Sequence, residues 1–196
     1  MRHFSFGPSL SMAGRKYKGL RGVAGKPLHP PLTDVPITAY LFAAVFDVLS
    51  LLLYRSHEQL ATELYRAGTW VLLGGAAVSL LAVLTGVVDW LNSSEPGTQA
   101  RRTINAHAAV MSTVTLLVLA DLVLRLTTAA HEESTPFGIA ALSVVAAVLV
   151  MIGASLGGSL VYDYGFNVET AGDHPVWHRS EADVYPDGHT AHGPRA

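Results

Sequence analysis

The chain has 196 residues; half are apolar and only 14% are charged, whereas a soluble domain carries about a quarter charged residues. Formal net charge is −2 and cysteine is absent. This excludes a disulfide framework, a thiolate metal site, a cysteine nucleophile and a cysteine-ligated iron–sulfur cluster, and it leaves nucleic-acid binding without electrostatic support.

The charges gather between long uncharged stretches, the pattern of a polytopic membrane protein. The opening arm, residues 1–27, is polar and basic, with Arg15, Lys16, Lys18, Arg21 and Lys26 close before the first apolar run. It lacks the apolar core of a cleavable signal peptide. By the positive-inside rule these cations predict a cytoplasmic N-terminus.

The membrane domain is expected over 28–165. Its first span is predicted over about 35–54, introduced by Leu28-His29-Pro30-Pro31-Leu32-Thr33-Asp34-Val35-Pro36. Pro36 is expected in the first turn, with Thr33 or Asp34 capping the free N–H groups. Asp47 lies inside this span, near Ala43 and Ala44. An ionised carboxylate in hydrocarbon must face the bundle, be paired, or be protonated. Residues 55–68 read as a short mixed-charge connection, partly helical. The second span is predicted over about 69–91, where Gly75, Ser79, Ala82, Gly86 and Asp89 form a stripe of small residues suited to close helix approach.

The turn-rich loop 92–103 carries Arg101 and Arg102, which fit the cytoplasmic side. The third span, about 104–126, opens with Asn105 and His107 and carries Asp121 four residues before Arg125, a spacing that favours an ion pair. The fourth, about 136–161, contains Gly153, Ala154, Gly157 and Gly158 in overlapping small-xxx-small patterns and ends at Tyr162. Four spans put both termini in the cytoplasm. Trp70, Tyr54 and Tyr65 then fall at the outer interface, and Trp90, Tyr162 and Tyr164 at the inner one. The tail, 166–196, is polar and includes His174, His178, His189 and His192; it is expected to lack fixed order and so to give no defined metal geometry.

This topology gathers His29, Asp34, Asp89, His107, Gly157, Gly158 and Tyr162 at one end of an all-α, four-helix membrane bundle. Imidazoles from two helices can ligate haem iron axially, each needing an acceptor for its other ring nitrogen. Asp34 and Asp89 are candidate acceptors, and the glycines leave room for a flat macrocycle. His29, His107 and one carboxylate also resemble a divalent-metal set. The plainer alternative is that both histidines are hydrogen-bonding groups of the interface. No GxSxG, Walker, HExxH or GxGxxG element stands in a supporting context, so an enzyme with independent turnover has least support.

Gly25-Lys26-Pro27-Leu28-His29-Pro30-Pro31-Leu32-Thr33-Asp34-Val35-Pro36, Asp47, Thr85-Gly86-Val87-Val88-Asp89-Trp90, His107 and Leu156-Gly157-Gly158-Ser159-Leu160-Val161-Tyr162, taken in order, resemble the DUF2231 family of small predicted membrane proteins. In actinobacteria this domain is often joined to a Rieske-type iron–sulfur domain. The resemblance therefore implies membrane electron transfer, with haem or quinone contact. The chain departs from the fused form because it has no cysteine for a Rieske cluster. It also has Thr33-Asp34 where many relatives carry a second histidine.

The leading expectation is a plasma-membrane redox subunit that binds haem b through His29 and His107. It would work in a membrane redox complex, with a Rieske-type protein, or as a homo-oligomer. The alternatives are a structural or accessory subunit without cofactor, and a small proton- or metal-coupled transporter using Asp47, Asp89 and Asp121.

Overall fold

The computed structural model describes residues 20, 27–92, 96–164 and 166, so the basic arm and the polar tail lie almost wholly outside the described residues. Four helices follow one another: α1 (His29–Leu53), α2 (Glu58–Asn92), α3 (Gln99–Leu126) and α4 (Phe137–Tyr162). Their lengths of 25, 35, 28 and 26 residues each exceed the roughly 20 residues that cross a hydrocarbon core. All four are apolar enough to span a membrane. Large apolar side chains such as Leu52, Trp70, Leu84, Leu116 and Phe137 point outward from all of them. An aqueous surface does not sustain apolar area on that scale, whereas lipid does.

The helices form a closed ring. α1 packs on α2 and α4, and α3 packs on the same two, so α1 and α3 are diagonal partners. The proximal end of the bundle carries the starts of α1 and α3 and the finishes of α2 and α4. The distal end carries the 54–57 and 127–136 connections.

Helix boundaries differ from the sequence reading at the starts of α1 and α2. α1 begins at His29, not near Val35, because Pro30 and Pro31 occupy its first positions, where a missing N–H and a fixed φ favour helix. Thr33 and Asp34 are therefore inside the helix and cap nothing. Thr33 Oγ1 instead donates to the Pro30 carbonyl at 2.7 Å. Pro36 is likewise interior and buried. The mixed-charge connection is mostly helix as well: α2 starts at Glu58 and, at 1.5 Å per residue, runs to about 52 Å, well past one bilayer thickness.

The small-residue stripe on α2 forms the α1 contact. Gly75, Ser79, Ala82 and Asp89 are buried, and a Cβ at Gly75 would collide with Ala39 and the Tyr40 ring. Tyr40, Leu72, Val114, Val118, Leu122 and Val150 fill the centre between all four helices. Thr98 caps α3, accepting from the Arg101 N–H at 3.1 Å, just after Gly97 turns the chain at φ +83°.

Candidate functional site

Polar chemistry collects at two depths. At the proximal end His29 from α1 and His107 from α3 meet across the bundle axis, with ring centres 6.4 Å apart and planes at 88°. Each ring is held in the same way. His29 Nδ1 lies 2.9 Å from the carbonyl oxygen of Ala82 on α2, and His107 Nδ1 lies 2.9 Å from that of Gly153 on α4. A carbonyl can only accept, so in both rings Nδ1 is the protonated nitrogen. The neutral imidazole then presents its Nε2 lone pair, and neither Nε2 has a hydrogen-bond partner among the described residues.

Two glycines make those bonds possible. In an α-helix the residue at i+4 stands over the carbonyl of residue i, because its own N–H bonds there. A ring approaching the Ala82 carbonyl meets residue 86, and one approaching the Gly153 carbonyl meets residue 157. Both are glycine. A Cβ at Gly86 would sit 2.7 Å from His29 Cε1 and 3.0 Å from its Nδ1. At Gly157 it would sit 3.2 Å from His107 Cε1. The α1–α2 hairpin and the α3–α4 hairpin thus repeat one device: imidazole, carbonyl, and a glycine four residues on.

The other expected site residues divide. Gly157 belongs to the site. Asp89 is buried at this end, accepts from the Leu20 N–H at 3.2 Å, and lies close enough to His29 for their charges to interact. Asp34 is exposed and lines a shallow apolar groove with Thr38, Phe42 and Phe46, so it is not the acceptor for an imidazole; backbone carbonyls take that role. A Cβ at Gly158 would meet nothing within 4 Å and Tyr162 is 87% exposed, so both face away from the pair. Asn105 accepts from Trp90 Nε1 at 2.7 Å, and Arg101 bonds the Trp90 carbonyl. Among the described residues no three His, Asp or Glu side chains gather closely enough to hold a metal ion.

At the distal end lies a cluster that the sequence reading divided into separate pieces. Arg125 pairs with Asp121 at 2.8 Å, as the spacing predicts, but also with Asp47 on the diagonal helix. Ser143 on α4 bonds both carboxylates, and Thr135 donates to Asp47 at 3.1 Å. The Thr135 N–H donates to Ser50, whose hydroxyl donates to the Ala61 carbonyl. Tyr65 is buried inside the bundle here; its ring lies under Arg125 and its hydroxyl donates to the Ala129 carbonyl at 3.0 Å. The available signal was the presence of Ser50 and Ser143 in otherwise apolar spans. Neither names its partner.

A family model described as a predicted membrane protein (DUF2231) matches residues 25–170, which include all four helices and both polar clusters. No curated protein and no solved structure matches the chain.

Proposed function

The chain belongs to the DUF2231 family of predicted membrane proteins, and on that premise we propose that it is an electron-transfer subunit whose His29 and His107 hold a b-type haem. One observation carries this reading: two imidazoles from diagonal helices, fixed in the tautomer that frees Nε2, with ring centres 6.4 Å apart. Both imidazoles would hold the iron through these free Nε2 atoms. Hydrogen-bonding Nδ1 to a carbonyl is also how a ligating histidine is ordinarily oriented and made more basic. Among the described residues no third ligating side chain joins the pair, which favours a macrocycle, itself a source of four ligands, over a bare divalent ion.

When bound, such an iron carries one electron at a time. The residues here would hold it, exclude water and set its potential through the two imidazole–carbonyl bonds and the nearby Asp89. Neither of the two grooves reaches the histidine pair, and the α2–α3 face is the least extensive of the four helix contacts. The cations of the N-terminal arm precede α1 in the sequence, and Arg101 and Arg102 stand at the proximal end. That arrangement supports both termini in the cytoplasm, a plasma-membrane location, and a haem near the inner face. The partner would be a membrane redox complex, a Rieske-type protein or a second copy of the chain.

The carbonyl bonds and glycine notches equally favour a second reading. In it the two histidines are interhelix fasteners in an accessory subunit without cofactor.

Purification from haem-replete cells, followed by oxidised and dithionite-reduced visible spectra, separates the two. The haem reading expects a low-spin b-type spectrum that His29→Ala and His107→Ala each abolish. A protein without haem under these conditions refutes it, as does a spectrum unchanged in the double variant. Metal analysis of the same sample tests the bare-ion case. Because the chain lacks cysteine, single Ser56→Cys and Thr98→Cys variants report the side of each end by reagent accessibility; labelling of Thr98→Cys from outside intact cells overturns the orientation.

A further inference from the structure

The distal cluster is separate from the histidine pair, and its hydrogen bonds fix a proton count. Ser143 Oγ has three polar neighbours: Arg125 Nη2 at 3.0 Å, Asp47 Oδ2 at 2.5 Å and Asp121 Oδ2 at 2.8 Å. A hydroxyl has one hydrogen and two lone pairs. The guanidinium can only donate, so it takes one lone pair. The single hydrogen goes to one carboxyl group. The remaining contact needs a donor, and a carboxylate has none; a protonated carboxyl does. A three-centre bond from one hydrogen would lengthen its legs, whereas the Asp121 leg, at 2.8 Å, has the usual O–H···O distance of about 2.7–2.8 Å.

Charge points the same way. Asp47, Asp121, Arg125 and Ser143 are each at most 3% exposed, inside helices that span lipid. The groups facing the pair come from every packed element: Ser50 from α1, Tyr65 and Thr69 from α2, Thr135 from the connection, Arg125 from α3 and Ser143 from α4. Among them Arg125 is the one cation. Two ionised carboxylates against one guanidinium would leave a net negative charge in low dielectric; one added proton makes the cluster neutral.

We propose that Asp47 and Asp121 together bind one proton, shared through the Ser143 hydroxyl, so that the distal end of the bundle is a proton-binding site within the membrane. The exchange balances. The protonated carboxyl gives its hydrogen to Ser143 Oγ, and Ser143 passes its own to the other carboxylate. Arg125 keeps both ends in register. The occupant is a proton, whatever cofactor or partner the proximal end holds.

Infrared spectroscopy of the detergent-purified full chain near neutral pH reads this directly. The expected result is a C=O stretch from one protonated, buried carboxyl group that disappears in Asp47→Asn and, equally, in Asp121→Asn. Either variant leaves a single carboxylate, which Arg125 holds ionised. Ser143→Ala keeps the band and shifts its frequency, because the hydrogen bond changes. A wild-type spectrum without such a band shows that both groups are ionised and overturns the proposal. Loss of the band in only one Asn variant shows an unshared proton and overturns the sharing. Carbon-13 resonance of labelled aspartate in the unaltered chain gives the same count independently of whether a variant folds.

Discussion

Alanine at Gly86 tests the histidine device most sharply. Its Cβ would stand 2.7 Å from His29 Cε1, and ordinary contact begins at 3.4 Å, so the ring must withdraw from α2 by about 0.7 Å. The Ala82 carbonyl is on that same helix. A retreat of this size carries the 2.9 Å Nδ1 bond to about 3.6 Å, beyond hydrogen-bonding range. The lost bond costs about 1 kcal/mol and the overpacking about 1–3 kcal/mol, offset by up to about 1 kcal/mol from alanine's better helix propensity. Net destabilisation is about 1–3 kcal/mol. Gly74, on the same helix, is the control: a Cβ there meets nothing within 4 Å, so Gly74→Ala keeps only the propensity gain. Thermal unfolding in one detergent should separate the two variants, about 2–4 kcal/mol apart once the control's propensity gain is counted, by about 4–16 °C, taking about 2–4 °C per kcal/mol for a chain of this size. Gly157→Ala should fall between them, since its contact with His107 is looser at 3.2 Å. If Gly86→Ala unfolds at or above the temperature of Gly74→Ala, His29 does not lie on that glycine and the device is wrong.

Further expectations concern the distal end. Arg125→Met removes the countercharge of two buried aspartates and should lower stability by about 3–5 kcal/mol; adding Asp47→Asn and Asp121→Asn should restore at least half of it. No recovery in the triple variant would mean that Arg125 acts through packing, not charge. Tyr65→Phe keeps the buried ring but loses the bond to the Ala129 carbonyl, and should cost about 1 kcal/mol in the same unfolding assay. Tyr54, exposed just past the end of α1, donates to the Glu133 carboxylate at 3.2 Å, and that bond together with the negative charge holds its phenol above the ordinary value. A raised folded value means that the contact stabilises fully below the ordinary phenol pKa and is lost as pH rises through the raised one. Ultraviolet tyrosinate titration should therefore show one phenol shifting to lower pH in Glu133→Gln, and an unchanged titration would place the contact elsewhere.

The histidine pair was legible in outline. His29 and His107 precede or open alternate spans, and alternate spans begin at the same end of an up-and-down bundle, so topology alone brings them to one depth. The identity of their partners was not. The acceptors are the main-chain carbonyls of Ala82 and Gly153, and a carbonyl carries no signature in sequence. The nearest trace is a glycine four residues further on, which is ambiguous in helices rich in small residues. Asp34 and Tyr162 looked like members of the site because they share its depth, but depth does not fix which way a side chain points.

Length and hydropathy by themselves determined that this chain is four membrane helices with its polar groups at two depths. Hydrocarbon leaves no other way to satisfy the backbone, and an ionisable group in it must turn inward. Tertiary structure decided how the helices rotate against one another, and with it the side-chain partnerships between helices. Lipid and core are both apolar, so apolar residues run all the way round these helices, and apart from the small-residue stripe of α2 no apolar pattern marks the inner face. Asp121 and Arg125 could be paired from their spacing. That Asp47, 78 residues from Arg125, completes the cluster with Ser143 depended on four independent rotations, which only the packed bundle fixes together.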